Sequence, residues 1–173
     1  MLIIFAGLPG VGKTTIAREV ARELGAVYLR ADTIEQAMRE SGLDGDSIGG
    51  MGYVVGYRVA SENLQLGRIV VADSVNPWQL TRDAWRNAAT FVGAGYLDVE
   101  IVCRDADEHR RRVETRRPDI EAFVLPTWEQ AIERDYHAWD IEPLRIDTAS
   151  TSVADAVEII KKRAAQLGGS HSH

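Results

Sequence analysis

A single cysteine, Cys103, stands among 173 residues. No internal disulfide can form, and the chain is expected to work in a reducing cytoplasm. No run approaches the roughly 18 uninterrupted apolar residues of a membrane span, and the N-terminal apolar segment lacks the basic lead and cleavage site of a secretory signal. No membrane partner is therefore expected. Positive charge is in short supply: 20 Lys and Arg against 26 Asp and Glu leave a formal net charge of −6 and a pI near 5.2. Such a surface does not as a whole attract nucleic acid, although a local basic groove is compatible with that balance. No internal repeat is visible, and apolar residues at 45% with charged residues at 27% are an ordinary globular mix. The length suits one domain over residues 1–167, with two domains cramped. Residues 168–173, Gly-Gly-Ser-His-Ser-His, read as a disordered tail, native or left by cloning, and its two histidines are weak evidence for a metal site.

What is present begins at Gly7. The run Gly7-Leu8-Pro9-Gly10-Val11-Gly12-Lys13-Thr14 fits G-x-x-x-x-G-K-[ST], a loop that cradles nucleotide phosphates. The apolar Leu2–Ala6 run before it reads as a buried strand. After it, Ile16, Val20 and Leu24 recur at helical spacing. Glycines let the backbone N–H groups turn toward phosphate oxygens, and the helix N-terminus adds its positive dipole end. The predicted nucleotide site comprises Gly7, Gly10, Val11, Gly12, Lys13, Thr14 and Thr15. Lys13 should reach the β- and γ-phosphates of ATP, and the Thr14 hydroxyl should take a place on Mg²⁺.

Strand-like and helix-like segments alternate to the end, which predicts an α/β fold: three layers, with a five-stranded parallel sheet between helices. Further strands are expected at 26–29, 68–72, 97–103 and 144–146. Helices are expected after Asp32, over 54–66, from Pro77 to about Val92, from Asp105 toward Pro118, from Pro126 to about His137, and over 153–167. Asp32-x-x-Glu35 and Asp105-x-x-Glu108 read as capping boxes. Ser41–Gly52, rich in glycine, reads as a mobile loop. Right-handed crossovers would place a ligand at the carboxyl ends of the strands.

Absences narrow the reaction. There is no Asn-Lys-x-Asp for guanine and no Asp-x-x-Gly switch, and the third strand ends in Asp73-Ser74 without a water-activating glutamate. A compact kinase remains, moving a γ-phosphoryl group to a hydroxyl by positioning and charge neutralisation. Asp32, after the second strand, is either the general base for that hydroxyl or only the cap of its helix. Asp73 either holds Mg²⁺ or starts a turn. The arginines 110, 111, 112, 116 and 117 read either as a lid over the transferring phosphoryl or as a solvated basic face. Arg112 and Arg116, four apart on one helical face, are the lid candidates.

Together Gly7–Thr14, Tyr28-Leu29-Arg30-Ala31-Asp32, Val70–Pro77 and Arg112-x-x-x-Arg116 resemble the predicted-kinase family of phosphate-loop enzymes. These are AAA-domain kinases similar to zeta toxin, chloramphenicol phosphotransferase and polynucleotide kinases. The resemblance implies ATP-dependent phosphorylation, with Asp32 activating the acceptor and the arginine pair as lid. It also implies Thr148 and Ala149 beside adenine, and Arg82 on the substrate side. One departure stands out. Where polynucleotide kinases carry an arginine three residues after the aspartate, this chain has Glu35, which argues against a nucleic-acid acceptor.

The leading expectation is thus a small-molecule kinase. A 5′-hydroxyl polynucleotide kinase and an ATP-binding switch without turnover are the alternatives, and oligomeric state is open. Met51, Tyr53 and Tyr57 are candidates for an acceptor pocket. Trp78, Trp85, Trp128 and Trp139 are expected to pack more than to stack a ligand. His109 and His137 are expected to be solvated, and Cys103 to be a buried strand residue.

Overall fold

The computed structural model describes residues 1–169. Its core is a parallel sheet of five strands, β1 (Leu2–Ala6), β2 (Val27–Arg30), β3 (Val70–Asp73), β4 (Tyr96–Val102) and β5 (Leu144–Asp147), in the order β2-β3-β1-β4-β5. Strand β1 is buried along its whole length because both its faces are covered. Ile3 and Phe5, with Val71, Val99 and Ile101, pack beneath α1 (Lys13–Leu24) and α8 (Val153–Gly169). Leu2 and Ile4, with Val70 and Ala72, face α4 (Met51–Gln65) and α5 (Gln79–Thr90). Strand β1 pairs with β3 on one side and β4 on the other. The chain reverses direction across the sheet there, which opens a crevice above the carboxyl ends.

The three-layer architecture agrees with the alternation in the sequence; several local features do not. Residues 41–52 are not a continuous loop, since α3 (Gly45–Ile48) and the start of α4 occupy most of it. Gly52 and Gly56 are glycine for packing. A Cβ at Gly52 would strike the Glu35 side chain, and one at Gly56 would lie 2.8 Å from the Trp85 ring. Asp32 is not an N-cap: α2 (Ala31–Glu40) starts one residue earlier, and Arg30 holds the cap position without a side-chain bond. Asp105 does cap α6 (Ala106–Thr115), accepting from the Glu108 N–H at 3.0 Å. That helix stops at Thr115 with Arg116 extended, so Arg112 and Arg116 do not share a helical face. The expected helix from Pro126 shrinks to α7 (Trp128–Ile132), begun by a Thr127–Gln130 capping box. Gly168 and Gly169 continue α8 instead of fraying, and Ser170–His173 lie outside the described residues. Among the described residues no helix is long and apolar enough to cross a membrane.

Candidate active-site cleft

The phosphate loop leaves β1 at Gly7 (φ +140°), where any side chain would strike the Ile101 carbonyl. Gly10 (φ +85°) lies so close to Val113 that a Cβ would collide with its methyl. Helix α6 is therefore docked directly on the loop. His109 completes that seat: it is buried, donates Nε2–H to the Pro9 carbonyl at 2.8 Å, and stacks edge-on against Trp128 at 5.1 Å. The sequence reading had it solvated. The Trp128 ring and Val113, neither adjacent to it in sequence, enclose it.

Lys13 begins α1 and turns inward, its ammonium 3.0 Å from Asp73 Oδ1 with both side chains buried. Tyr28 donates to Asp73 Oδ2 at 2.7 Å, and the Thr14 hydroxyl bonds the same carboxylate. Burial alone would push the Asp73 pKa up; the Lys13 charge and the three hydrogen bonds reverse this and hold it below its ordinary value. The same carboxylate, with burial, pushes the Tyr28 phenol up, so Tyr28 stays a donor. Thr14 and Asp73 put two hard oxygens side by side, the donor type that Mg²⁺ takes from protein while keeping water and phosphate in its remaining positions. Among the described residues no group of three or more His, Cys, Asp or Glu could hold a metal by itself. The fit is to a cation shared with a phosphate ligand.

Above the loop lies a cleft of 1070 Å³, lined by eight Lys and Arg side chains against three carboxylates. A chain of net charge −6 thus concentrates positive charge where an anion would enter. Of the predicted loop residues Gly10, Gly12, Lys13, Thr14 and Thr15 line this cleft, whereas Gly7 and Val11 lie beneath it. Asp32, Arg112 and Arg116 line it too.

The two lid candidates differ in their bonding. Arg112 is committed, giving Nε to Glu108 at 2.7 Å and its Nη groups to Thr148 Oγ1 and carbonyl at 2.8 and 3.2 Å. Arg116 has Nε and Nη2 buried with no partner, and burial lowers its pKa against the pull of Asp32 and Asp119. Thr148 sits behind the loop, not on the cleft wall. Its hydroxyl lies 2.8 Å from the Val11 carbonyl and 3.1 Å from that of Val102, clipping the loop to the β5 edge. Ala149 does not line the cleft either, and gives its N–H to Asp147.

Arg82 does not line the cleft. It is fully buried and bonds the carbonyls of Asn76, Pro77, His137 and Ala138. Met51, Tyr53 and Tyr57 are also absent from the cleft wall, the two tyrosines being turned toward Asn76 and Thr81. Trp85 is buried and Trp128 and Trp139 are half-buried, as expected, whereas Trp78 is exposed and gives its Nε1–H to Asp135; none lines the cleft. Cys103 is half-buried one residue past β4, with Sγ 3.5 Å from the Asp105 carbonyl. Several cleft residues were not singled out from the sequence, among them Arg18, Gln36, Asp119 and Arg134. Arg18 was legible, standing four residues after Thr14 on the same face of α1. Asp119 left no signal, because it acts through a strap, residues 116–127, without helical or strand periodicity.

A parallel sheet opening on a phosphate loop, with arginines above the loop, defines the phosphate-loop kinase fold. Residues 2–134 match the family model of the AAA domain, and the chain belongs to that family. A cytidylate kinase from Pyrobaculum neutrophilum is 26% identical over 92% of this chain and 90% of its own length. Among solved structures, the Mycobacterium tuberculosis APS kinase CysC in complex with AMPPNP and APS superposes with a TM-score of 0.72 at 19% identity, covering 95% of this chain and 96% of that one. Chaetomium thermophilum Kti12 in complex with ADP-AlF3 does so with a TM-score of 0.72 at 19% identity, covering 96% and 99%.

Proposed function

We propose that this chain is a cytoplasmic kinase that transfers the γ-phosphoryl group of Mg-ATP to a hydroxyl of a small-molecule acceptor. The observation that carries this reading is Arg116, which stands on the wall of a cleft floored by Lys13 and Thr14 with its Nε and Nη2 donors buried and unpartnered. A buried donor left without a partner costs on the order of 1–3 kcal/mol, which a bound phosphoryl oxygen would recover. Lys13, now drawn onto Asp73, would move to the β- and γ-phosphates. Thr14 and Asp73 would hold Mg²⁺, which supplies neutralisation of phosphate charge.

Asp32 lines the same cleft, and its Oδ2 is held 3.3 Å from Arg30 Nη2. In the reaction the acceptor oxygen bonds to the γ-phosphorus as the bond to the β,γ-bridging oxygen breaks. ADP departs, and Asp32 takes the hydroxyl proton. Arg116 stabilises the charge spread over the transferring group. ATP is favoured over GTP by the missing guanine motif, and the AMPPNP and ADP bound to the two structural neighbours are in line with it. Glu35 stands on the cleft wall where polynucleotide kinases carry an arginine, which disfavours a polyanionic acceptor.

The test is transfer of labelled γ-phosphate, in parallel, into a fractionated metabolite extract and a 5′-hydroxyl oligonucleotide. Label should enter a small molecule. Lys13→Ala should abolish transfer. Asp32→Asn should lower it by about 10²–10⁴-fold while AMPPNP binding, measured by calorimetry, stays intact. Label in the oligonucleotide alone would replace the acceptor assignment, and an Asp32→Asn enzyme as fast as wild type would remove the base.

A further inference from the structure

Arg30 is the most enclosed cation of the acceptor side. Its side chain is 7% exposed at the end of β2, and its guanidinium reaches two carboxylates. One is Asp32. The other, Asp119, arrives from the strap, 89 residues away in sequence, and takes Arg30 Nη1 through both oxygens at 3.0 and 2.8 Å. The same Asp119 receives Arg18 of α1 at 2.6 Å. A single carboxylate, 40% exposed, thus answers two arginines that belong to fixed elements of the core.

The two sides of this contact are not equally anchored. Arg30 and Arg18 sit on a strand and a helix packed into the sheet. Asp119 sits on a segment without regular secondary structure, one residue past Pro118. If Asp119 withdraws, the buried Arg30 fork keeps only Asp32 as partner, and a guanidinium so enclosed demands a new oxyanion. Arg39 and Arg134 line the same cleft and add to its positive excess. Mg-ATP would engage Lys13 and Thr14 of the loop, whereas Arg30 pairs with Asp32 at the end of β2.

We propose that Asp119 is a built-in stand-in for an oxyanion of the acceptor. The substrate is a small molecule carrying a carboxylate or phosphate within reach of its reacting hydroxyl, and that group displaces Asp119 onto Arg30 and Arg18. This rests on the phosphotransfer reading for its hydroxyl, and it deepens that reading by naming the substrate class. Binding orients the acceptor by two points: the oxyanion on Arg30, and the hydroxyl at Asp32, which shares the Arg30 guanidinium. Release of the strap is coupled to substrate choice, because the strap residue that must leave is the one the substrate imitates.

The test follows the Arg30 Nε–H resonance, assigned with Arg30→Lys, in the full chain during titration with glycerol, glycerate and glycerol 3-phosphate. These probes share a hydroxyl skeleton and differ in their anion. At least one of the two anions should shift the resonance saturably and glycerol should not; a response to glycerate alone marks a planar carboxylate seat, to the phosphate alone a tetrahedral one. Asp119→Asn, which keeps the shape of the latch and removes its charge, should tighten the responding anion by about tenfold, and Arg18→Gln should weaken it. Silence of Arg30 toward both anions, an equal response to glycerol, or an Asp119→Asn protein that binds no tighter would each overturn the proposal. The readout needs no turnover. An Arg30 response without any phosphorylated product would sink the kinase reading and leave the oxyanion seat standing.

Discussion

Arg82 and Arg116 are both guanidiniums withdrawn from water, and they are bonded in opposite ways. Arg82 gives its donors to four main-chain carbonyls and lies over the Trp139 ring at 4.0 Å and the Tyr136 ring at 4.9 Å. Beside it Arg86 holds Asp83, Asp98 and Asp140, leaving Nη2 alone unpartnered. These two arginines fasten α5 to β4 and to the segment before β5, the job a hydrophobic contact does elsewhere. Arg116 has the same chemistry and lines the cleft, but two of its donors are buried without a protein partner. Desolvating a cation is costly in either place. Where the role is architectural the protein itself satisfies it, and where the role is binding the satisfaction is left to the ligand.

The sharpest way to break this contrast is to exchange its consequences. Arg116→Ala should lower phosphoryl transfer by about 10³–10⁵-fold, as loss of a charge-stabilising arginine does, with no drop in Tm. A stable variant with near-normal kcat would shift the lid role to Arg112 or Arg117. Arg82→Met should do the reverse. Roughly 3 kcal/mol of stability should disappear in urea unfolding, because four carbonyls lose a charged donor, while KM for ATP in the surviving folded fraction is unchanged.

The smallest effect should come from Glu108, half-exposed and gripping both Arg111 and Arg112. Hydrogen bonds from those arginines hold its carboxyl down at about 2, from an ordinary 4.5. Because its folded pKa is depressed, its contribution is complete above pH 4.5 and is lost as pH falls toward 2. Glu108→Gln should therefore flatten the acid limb of stability only slightly, and leave Tm at pH 7 close to wild type, since exposed pairs are worth little. A loss of stability at pH 7 as large as that of Arg82→Met, both measured by urea unfolding, would mean that Arg112 is architectural too.

Sequence spacing was enough for the sheet, the phosphate loop and the placing of Asp32, Arg112 and Arg116 around one cleft. Those features are local: an apolar run, a fixed motif, an acid at a strand end. The errors came where a distant partner decides. Arg82 resembled a substrate-side arginine by its distance from Asn76-Pro77, but Trp139 and the His137 carbonyl, more than 50 residues on, claim it. His109 looked solvated on a charged helix until Pro9 and Trp128 closed over it. Gly52 suggested the end of a loose loop, whereas it and Gly56 mark where α4 crosses Glu35 and Trp85 closely. Asp119 was invisible because no periodicity marks a strap.

The docking of α6 onto the loop at Gly10 and Pro9 has a consequence for tempo. A helix that packs against the phosphate cradle and is bolted to Thr148 cannot swing as a rigid flap without dismantling the nucleotide seat. Opening and shutting must be carried by the irregular residues 116–127 that follow it. A free loop moves in nanoseconds to microseconds, but one latched by ion pairs opens as lids do, in microseconds or more. A gate carried by this segment is therefore timed by the Asp119 bonds to Arg30 and Arg18, the latch and not the hinge.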